Sequence, residues 1–209
     1  MRLGIDFGTC LSSAAFVRDG VLTYAKEPVR NGYSFPSSAY LMPTMELLLG
    51  QAAENQRLAD PQRFRAEFKR TLGSRMPCIL GGYAYQPEAL CAAMLQKLKR
   101  EAELAFGRPE AFDGVVLTIP ADYQEYKRGL MAQAAATSGF RQVELLEEPV
   151  AAALAYSRHA GTPIAEGTLI LVYDLGGGTF DAALLRKAGP GFVSVATPQG
   201  LPNCGGVDF

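Results

Sequence analysis

Residues 172–181 read VYDLGGGTFD, in which an apolar run ends in Asp174 and three glycines lead to a threonine and to Asp181. Glycine costs backbone entropy within a strand, so Gly176–Gly178 indicate a tight turn or the close approach of another group to the main chain. A phosphate group held by main-chain N–H groups satisfies both conditions. This stretch therefore predicts a strand, a phosphate-binding turn and a second strand.

A similar pattern stands at the amino terminus. Residues 2–7 (RLGIDF) contain Asp6, a turn from Gly8 leads to Thr9, and two more strands joined by an Asp-Gly turn run to residue 25. The late copy has the same order of strand, glycine turn, strand, Gly-Pro-Gly turn and strand. We interpret the two copies as an internal repeat, and two unrelated hairpins in an α/β protein are the alternative.

The repeat suggests how a ligand is bound. Two such hairpins facing each other would hold a triphosphate between their N–H groups, while Asp6 and Asp174 hold hydrated Mg²⁺ beside it. We expect both carboxylates to need a partner, because each stands at the end of a buried strand. Asp181 fits either a second ion ligand or an aspartate that hydrogen-bonds its own turn.

The segments between the copies alternate strands and helices. Residues 87–106 have helical apolar spacing, Asp122 and Glu125 resemble a capping box for a helix ending at Gly139, and Pro149 opens an alanine-rich helix. Strands are predicted at 114–119 and 142–146. The fold class is therefore α/β, a mixed sheet with flanking helices, with residues 37–112 inserted as a small α/β subdomain.

Composition excludes several partners. The chain has 209 residues, 48% of them hydrophobic, and a formal net charge of −1 without a basic cluster, which argues against nucleic acid or a membrane surface as partner. No apolar stretch is long enough to span a bilayer and the amino terminus lacks signal-peptide features, so we expect a cytoplasmic location. The four cysteines form no CxxC pair, which predicts reduced thiols.

Several segments, taken in order, resemble the nucleotide-binding domain of heat shock protein 70 (DnaK-like) chaperones, within the superfamily of actin, sugar kinases and chaperone ATPases. The matching segments are GIDFGT (4–9), FPSSAY (35–40), LGQAA (49–53), FKRTLG (68–73), LTIPADY (117–123), EEPVAAALAY (147–156), VYDLGGGTFD (172–181) and NCGGVDF (203–209). The resemblance implies an actin-like ATPase (ribonuclease H-like) fold. Residues 1–36 and 113–165 would form the core of the first lobe, 37–112 its inserted subdomain, and 166–209 the opening β-meander of an incomplete second lobe.

The resemblance also implies roles for single residues. The lysine matched by Lys69 positions the attacking water, and the glutamate matched by Glu148 acts through water on Mg²⁺ and its phosphate. Asp174 and Thr179 complete the catalytic set, and Asp6 and Asp174 hold the metal through water. Without the resemblance, Lys69 reads as part of a solvated basic face, and Glu148 as a favourable charge at a helix amino terminus.

Other residues match the phosphate loops and a relay. The phosphate-binding set implied by the resemblance is Gly8, Thr9, Cys10, Gly176, Gly177, Gly178, Thr179, Gly205 and Gly206. Pro120 and Arg128 match a proline and an arginine that transmit the nucleotide state. Phosphoryl transfer to water requires mainly positioning and charge neutralisation, so the implied activity is slow ATP hydrolysis with ATP/ADP, Mg²⁺ and K⁺ as an additional ion.

In the family, nucleotide state controls a peptide-binding domain that is absent from this chain, so implied partners are unfolded peptides, co-chaperones and exchange factors. The sequence departs from the family where Cys10 replaces a second threonine and where Asp122 replaces an aromatic residue, which indicates a divergent member. Because covering helices and the adenosine pocket would be missing, we expect self-association through residues 168–197, weak nucleotide binding, and little or no ATPase activity of the 209 residues alone.

Two other functions stay open at this stage. A sugar or acetate kinase of the same superfamily would need a phosphoryl-acceptor site, for which no residues are evident. A nucleotide-responsive interaction module with weak or no ATPase activity is consistent with Cys10. The GxxxxGK[ST] and GxGxxG patterns are absent, so a P-loop or dinucleotide-binding protein is not indicated.

Overall fold

The computed structural model of the chain describes residues 1–159, 161, 163–202 and 204–209. Asn203, the first residue of the NCGGVDF segment, lies outside the described residues. The chain divides into two compact units, Met1–Leu117 with Glu125–Glu144 and Thr118–Gln124 with Leu145–Phe209.

The elements follow one another as strands and helices of an α/β protein. The strands are β1 (Arg2–Phe7), β2 (Leu11–Arg18), β3 (Val21–Tyr24), β4 (Phe35–Pro36), β5 (Ser38–Leu41), β6 (Leu47–Leu49), β7 (Phe64–Ala66), β8 (Cys78–Leu80), β9 (Tyr83–Tyr85), β10 (Gly114–Ile119), β11 (Gln142–Glu147), β12 (Leu169–Leu175), β13 (Thr179–Ala188), β14 (Gly191–Ser194) and β15 (Gln199–Pro202). The helices are α1 (Gln51–Glu54), α2 (Pro87–Phe106), α3 (Glu125–Thr137) and α4 (Glu148–His159), with 3-10 turns at Pro61–Arg63 and Phe68–Thr71.

The first unit contains a six-stranded mixed sheet. Its order is β11-β10-β1-β2-β3, with β4 paired to β2. β1 runs parallel to β10, with Ile5 opposite Leu117, and antiparallel to β2. The predicted α/β class and mixed sheet are confirmed, and the amino-terminal copy of the repeat is a three-stranded meander as expected.

Helix α2 covers the apolar face of this sheet. Its buried residues include Leu90, Met94 and Leu98, spaced at intervals of four as an amphipathic helix requires, and the helix lies against β1 and β2. Gly107 ends it in the left-handed conformation with φ of 80°. The predicted bounds of residues 87–106 are confirmed, because both the apolar period and the terminal glycine are local signals.

Helix α3 begins later than predicted. Its first residue is Glu125, so Gln124 occupies the N-cap position. In a capping box the N-cap residue would have to be Asp122, and the predicted capping box from Asp122 to Glu125 is therefore wrong. Asp122 instead lies beside β15, where a methyl group placed on Gly200 would come 3.4 Å from its Oδ2 atom. The helix ends at Thr137, one residue before the predicted Ser138, and Gly139 adopts φ of 94° just past it, as a terminating glycine does.

Two smaller sheets lie in the first unit, within the stretch predicted to be an insertion. β5 pairs with β6 and β7, and β8 pairs with β9. α1 packs against β5 and β6. The subdomain boundaries at residues 37 and 112 stay a prediction.

The second unit is a four-stranded antiparallel sheet with α4 on one face. Its order is β12-β13-β14, and β15 pairs with β13. Ala153 of α4 packs with Ala183, Leu185 and Phe192 in a small core. α4 covers one of the two faces of this meander, and the other keeps the exposed apolar residues that were expected, among them Leu171 and Tyr173.

Candidate functional site

The first glycine turn, Gly8–Cys10, joins β1 to β2 and is held from the β4–β5 connection. Ser37 donates its Oγ hydrogen bond to the Gly8 carbonyl oxygen at 2.8 Å, and its N–H donates to the Cys10 carbonyl oxygen at 2.8 Å. A methyl group at Gly8 would collide with the carbonyl oxygen of Leu11. The turn is thus anchored on its carbonyl side, and only glycine fits at its first position.

Asp6 does not lie in the core. The side chains of β1 alternate, so that Leu3, Ile5 and Phe7 are buried while Asp6 is exposed opposite Ser13. The expectation that Asp6 is buried at the end of its strand is wrong, because period-two alternation turns it to the open face. An exposed carboxylate next to the glycine turn still suits an ion that keeps its water shell, so the metal role of Asp6 stays a prediction.

Lys69 is buried next to Phe7, the residue that precedes the same turn. It lies in the 3-10 turn Phe68–Thr71, is 3% exposed, and donates from Nζ to the carbonyl oxygen of Phe7. Its Nζ also stands 5.7 Å from the centre of the Phe7 ring. The alternative reading of Lys69 as part of a solvated basic face is wrong, since the 3-10 turn directs it inward.

Lys69 has a thiol among its neighbours. Burial raises the pKa of the Cys91 thiol to about 12. The Lys69 ammonium lowers this pKa, whereas the nearby Glu88 carboxylate and the Cys78 thiol raise it further. All four cysteines are free, with Cys78 and Cys91 buried and Cys10 and Cys204 half-buried. The expectation of reduced thiols agrees with this geometry.

The second glycine turn, Gly176–Gly178, is closed within the second unit and tied to the carboxyl-terminal segment. The Gly176 N–H donates to the Thr179 carbonyl oxygen at 2.9 Å, which closes the turn. The N–H groups of Gly206 and Val207 donate to the carbonyl oxygens of Gly176 and Gly177 at 3.0 and 2.9 Å. The structure thus brings together the predicted phosphate-binding glycines of this unit.

Gly205 fits against this turn without room for a side chain. A methyl group on it would collide with the main-chain nitrogen of Gly178 and the carbonyl carbon of Gly177. The Gly205 N–H donates to Oδ2 of Asp208 at 2.8 Å. At Gly206, in contrast, the nearest atom to such a methyl group is the Gly176 carbonyl oxygen at 3.9 Å.

Asp174 and Asp181 lie directly opposite each other on β12 and β13. Both side chains point to the face that carries α4; Asp181 is buried, and Asp174 is half-buried. Asp181 therefore belongs to the body of the strand and not to the glycine turn. Gly200 of β15 faces it, and a methyl group there would come 2.5 Å from Oδ1 of Asp181.

Comparison with known proteins identifies the family to which the chain belongs. The family model described as Hsp70 protein matches residues 76–209, more than half of the chain. The chain belongs to the heat shock protein 70 family. Residues 1–75 lie outside that match, and their similarity to the family rests on the individual relatives.

Those relatives are chaperones of bacteria and archaea. The chain is 33% identical to the chaperone protein DnaK of Endomicrobium trichonymphae over 210 residues, and 35% identical to that of Picrophilus torridus over 211 residues. Each match covers 99% of this chain and 33% of the relative. The DnaK of Methanothermobacter thermautotrophicus is 33% identical, with 34% of its length covered. The chain spans about a third of the length of these relatives.

The remaining predicted Hsp70 residues lie on helices and connections. Glu148 is the first residue of α4, half-buried before the buried Pro149. Pro120 is buried, and its carbonyl oxygen accepts a hydrogen bond from the Tyr123 N–H at 3.2 Å. Arg128 is half-buried on α3 of the first unit. Among the described residues, no group of three or more His, Cys, Asp or Glu is arranged to bind a metal ion directly.

Sequence reasoning missed Glu27. The residue is fully buried, and its Oε2 atom accepts hydrogen bonds from the N–H groups of Val29 and Arg30, both at 2.8 Å. Its main chain also pairs with Gly32. No motif marks this glutamate, although the sequence Glu-Pro-Val-Arg-Asn-Gly has the proline and glycine of a turn that needs an acceptor.

No helix in the part of the chain that the structure describes has both the length and the apolar character that crossing a membrane requires.

Proposed function

We propose that the chain is the ATP-binding part of a heat shock protein 70-like chaperone, which hydrolyses ATP and uses its nucleotide state to control the binding of unfolded peptides. The observation that carries the proposal is the burial of Lys69 at the root of the first glycine turn. Taking an ammonium group out of water costs several kcal/mol, and such groups cluster at functional sites. By the resemblance of FKRTLG to the family, Lys69 would be the lysine that orients the attacking water.

The residues present fit a polyphosphate. At Gly8 and Gly205 any side chain would collide with the protein's own main chain, so each turn forms only with glycine at that position. Main-chain N–H groups of such turns bind anions, and Lys69 adds positive charge. In the first unit, the Gly8–Cys10 turn and Lys69 would position a phosphate group and stabilise the charge that develops on it during hydrolysis.

Mg²⁺ fits the chemistry of the aspartates. It binds carboxylate oxygens and usually keeps several waters, and Asp6 is exposed enough to contact a hydrated ion. Asp174 is the second predicted contact, and Glu148 would act through water. When bound, the ion would neutralise phosphate charge. A thiol is a poor ligand for Mg²⁺ or K⁺, so Cys10 weakens the case for a bound K⁺.

The test is an NMR titration of the ¹⁵N-labelled chain with MgATP, followed in parallel with inorganic tripolyphosphate and with adenosine. We expect the amide signals of Thr9, Cys10 and Gly176–Gly178 to shift with MgATP and with tripolyphosphate. We expect adenosine alone to leave these signals in place. If neither phosphate compound moves the glycine-turn signals, the proposal is wrong.

A second candidate is a nucleotide-responsive interaction module with little hydrolysis. Cys10 favours it, since a weakly hydrogen-bonding thiol stands in the turn where the family has threonine. Comparing ATP hydrolysis by the whole protein of the proposed function, with Cys10 and with Cys10→Thr, separates the two. A rise in hydrolysis in the threonine variant favours a slowed ATPase, whereas binding without hydrolysis in both favours the module.

The same proposal includes the finer assignments. Residues 1–36 and 113–165 would be the first-lobe core, 37–112 its inserted subdomain and 166–209 the opening meander of the second lobe. Pro120 and Arg128 would relay nucleotide state. Co-chaperones and exchange factors would act on the whole protein, in the cytoplasm.

A further inference from the structure

Ser37 holds the first glycine turn from inside the protein. It lies between β4 and β5, is 2% exposed, and contacts the turn through both its side chain and its main chain. Its Oγ hydroxyl donates to the Gly8 carbonyl oxygen and its N–H group donates to the Cys10 carbonyl oxygen, each at 2.8 Å. One residue therefore binds the carbonyl groups of both residues that adjoin Thr9.

A second buried serine determines where the proton of the Ser37 hydroxyl goes. Ser12 of β2 is also 2% exposed, and its Oγ atom lies 2.9 Å from that of Ser37. A serine hydroxyl has one proton to donate. Because the Ser37 proton goes to the Gly8 carbonyl oxygen, Ser12 is the donor in the bond between the two hydroxyls. The serines thus form a directed chain that ends at the glycine turn, and the bonds of such a chain strengthen one another.

The bond to the Gly8 carbonyl oxygen also fixes the direction of the next N–H group. The peptide bond between Gly8 and Thr9 is trans, so its C=O and N–H groups point in opposite directions. Since the Gly8 carbonyl oxygen is directed inward at Ser37, the Thr9 N–H points away from the buried serines. Gly8, Thr9 and Cys10 are half-buried, so the turn can be reached from solvent. A main-chain N–H group held in this way suits an anion.

We propose that Ser37, supported by Ser12, is a positioning residue for phosphate binding at the first glycine turn. It does not contact the phosphate. Its hydroxyl restricts rotation of the peptide between Gly8 and Thr9, so that the Thr9 N–H has its binding direction before the phosphate arrives. A preorganised donor binds more tightly because less conformational entropy is lost on binding. The inference rests on the proposed ATP-binding function and deepens it by assigning the turn a supporting side chain.

Ser37→Ala removes the hydroxyl, and Ser38→Ala is the matched control. Ser38 is the next residue, is 1% exposed, and donates its hydroxyl to the Gly50 carbonyl oxygen at 3.2 Å, which is not part of the glycine turn. Each variant loses one buried hydrogen bond from a hydroxyl to a carbonyl group, so their general losses of stability should be similar. Ser12→Ala tests the chain of serines, because it keeps the Ser37 hydroxyl and removes only the donor behind it.

An NMR titration of the ¹⁵N-labelled chain with inorganic tripolyphosphate measures binding at the turn. The dissociation constant read from the Thr9 and Cys10 amide signals should rise about three- to tenfold in Ser37→Ala, as expected for the loss of one hydrogen bond, and less in Ser12→Ala. Ser38→Ala should bind like the parent chain. Without ligand, heteronuclear NOE values should show faster motion of the Thr9 amide in Ser37→Ala than in Ser38→Ala.

Three results would overturn the inference. Equal dissociation constants in Ser37→Ala and Ser38→Ala would mean that Ser37 has only a structural role. Weaker binding without faster motion of the Thr9 amide would mean that the hydroxyl does not act by positioning the turn. If the turn signals of the parent chain do not respond to tripolyphosphate, the proposed function fails and this inference fails with it, whereas either of the first two results leaves the proposed function intact.

Circular dichroism and urea unfolding establish that each variant is folded. If Ser37→Ala does not fold, the comparison passes to Ser12→Ala, which leaves the bond from Ser37 to Gly8 in place. Its dissociation constant should then exceed that of Ser38→Ala by about twofold, and equal constants in these two variants would overturn the inference.

Discussion

The ammonium group of Lys69 donates a hydrogen bond to the main-chain carbonyl oxygen of Phe7, the last residue of β1. The contact links the 3-10 turn Phe68–Thr71 to the residue before Gly8. A lysine that holds the base of a glycine turn and is shielded from water can be a structural anchor or a catalytic charge. These two roles predict different behaviour on substitution.

Replacing Lys69 with methionine separates the roles. In the whole protein of the proposed function, we expect ATP hydrolysis to fall by about a hundredfold, as on removal of one electrostatic group from an active site. The free energy of unfolding should change by less than about 1 kcal/mol, because the lost charge-assisted hydrogen bond is offset by relief of a buried charge. Hydrolysis rates and urea titrations measure the two quantities.

Arg70→Met is the matched control for this substitution. Arg70 follows in the same turn, its side chain is 17% exposed, and it pairs with Glu67 at 2.8 Å. Its loss should leave hydrolysis unchanged and cost about 1–3 kcal/mol of stability, because the pair is partly buried. Unchanged hydrolysis in Lys69→Met together with a large loss of stability would make Lys69 a structural anchor.

Substituting Gly205 with alanine should disturb the second glycine turn. The added methyl group meets the main chain of Gly177 and Gly178, which cannot move aside cheaply. We expect a loss of about 1–3 kcal/mol, as in other overpacked sites, and weaker binding of tripolyphosphate. Thermal melting and the NMR titration give both values.

Gly206→Ala provides the comparison at the next position. Its methyl group would have no atom closer than the Gly176 carbonyl oxygen at 3.9 Å. This variant should melt and bind like the parent chain. If the two substitutions had equal effects, the close approach of Gly205 to the main chain of Gly177 and Gly178 would not contribute to stability or to tripolyphosphate binding.

Glu27→Ala should destabilise the first unit, because the N–H groups of Val29 and Arg30 lose their carboxylate acceptor inside the protein. We expect a loss of about 1–3 kcal/mol in urea unfolding. Glu27→Gln keeps an acceptor oxygen of similar reach and should lose less. A glutamine variant as unstable as the alanine variant would argue that the negative charge, and not the hydrogen bonds, is what matters.

Cys91 should make stability fall at alkaline pH. Its pKa is raised from 9.0 to about 12 in the folded chain, so the unfolded chain releases the thiol proton first. The resulting stabilisation is complete below about pH 9 and is lost as pH rises from about 9 towards 12. Urea unfolding of the parent and of Cys91→Ala between pH 8 and about 10.5 should show a shallower decline in the variant. Parallel curves would contradict the assignment.

Local patterns made most of the elements predictable. The bounds of α2 follow from its apolar spacing and Gly107, and both meanders follow from alternation and glycine turns. Burial of Lys69 and Glu27 depends on contacts with residues distant in sequence, or on loop geometry that no motif encodes. Asp6 was misjudged because strand position alone does not tell which face of the sheet is covered. α3 was misjudged because a capping pattern competes with the conformation that follows Pro120.

The pairing of β1 with β10 has a consequence for synthesis. Gly114 lies opposite Arg2, although 112 residues separate them along the chain. At translation rates of about 5–20 residues per second, β1 leaves the ribosome roughly 5–20 s before its parallel neighbour exists. β1 can pair with β2 as soon as both are made, but its other edge stays unpaired until β10 has been synthesised. β1 thus spends several seconds with one edge exposed to wrong partners, and the speed of translation between residues 7 and 119 sets how long.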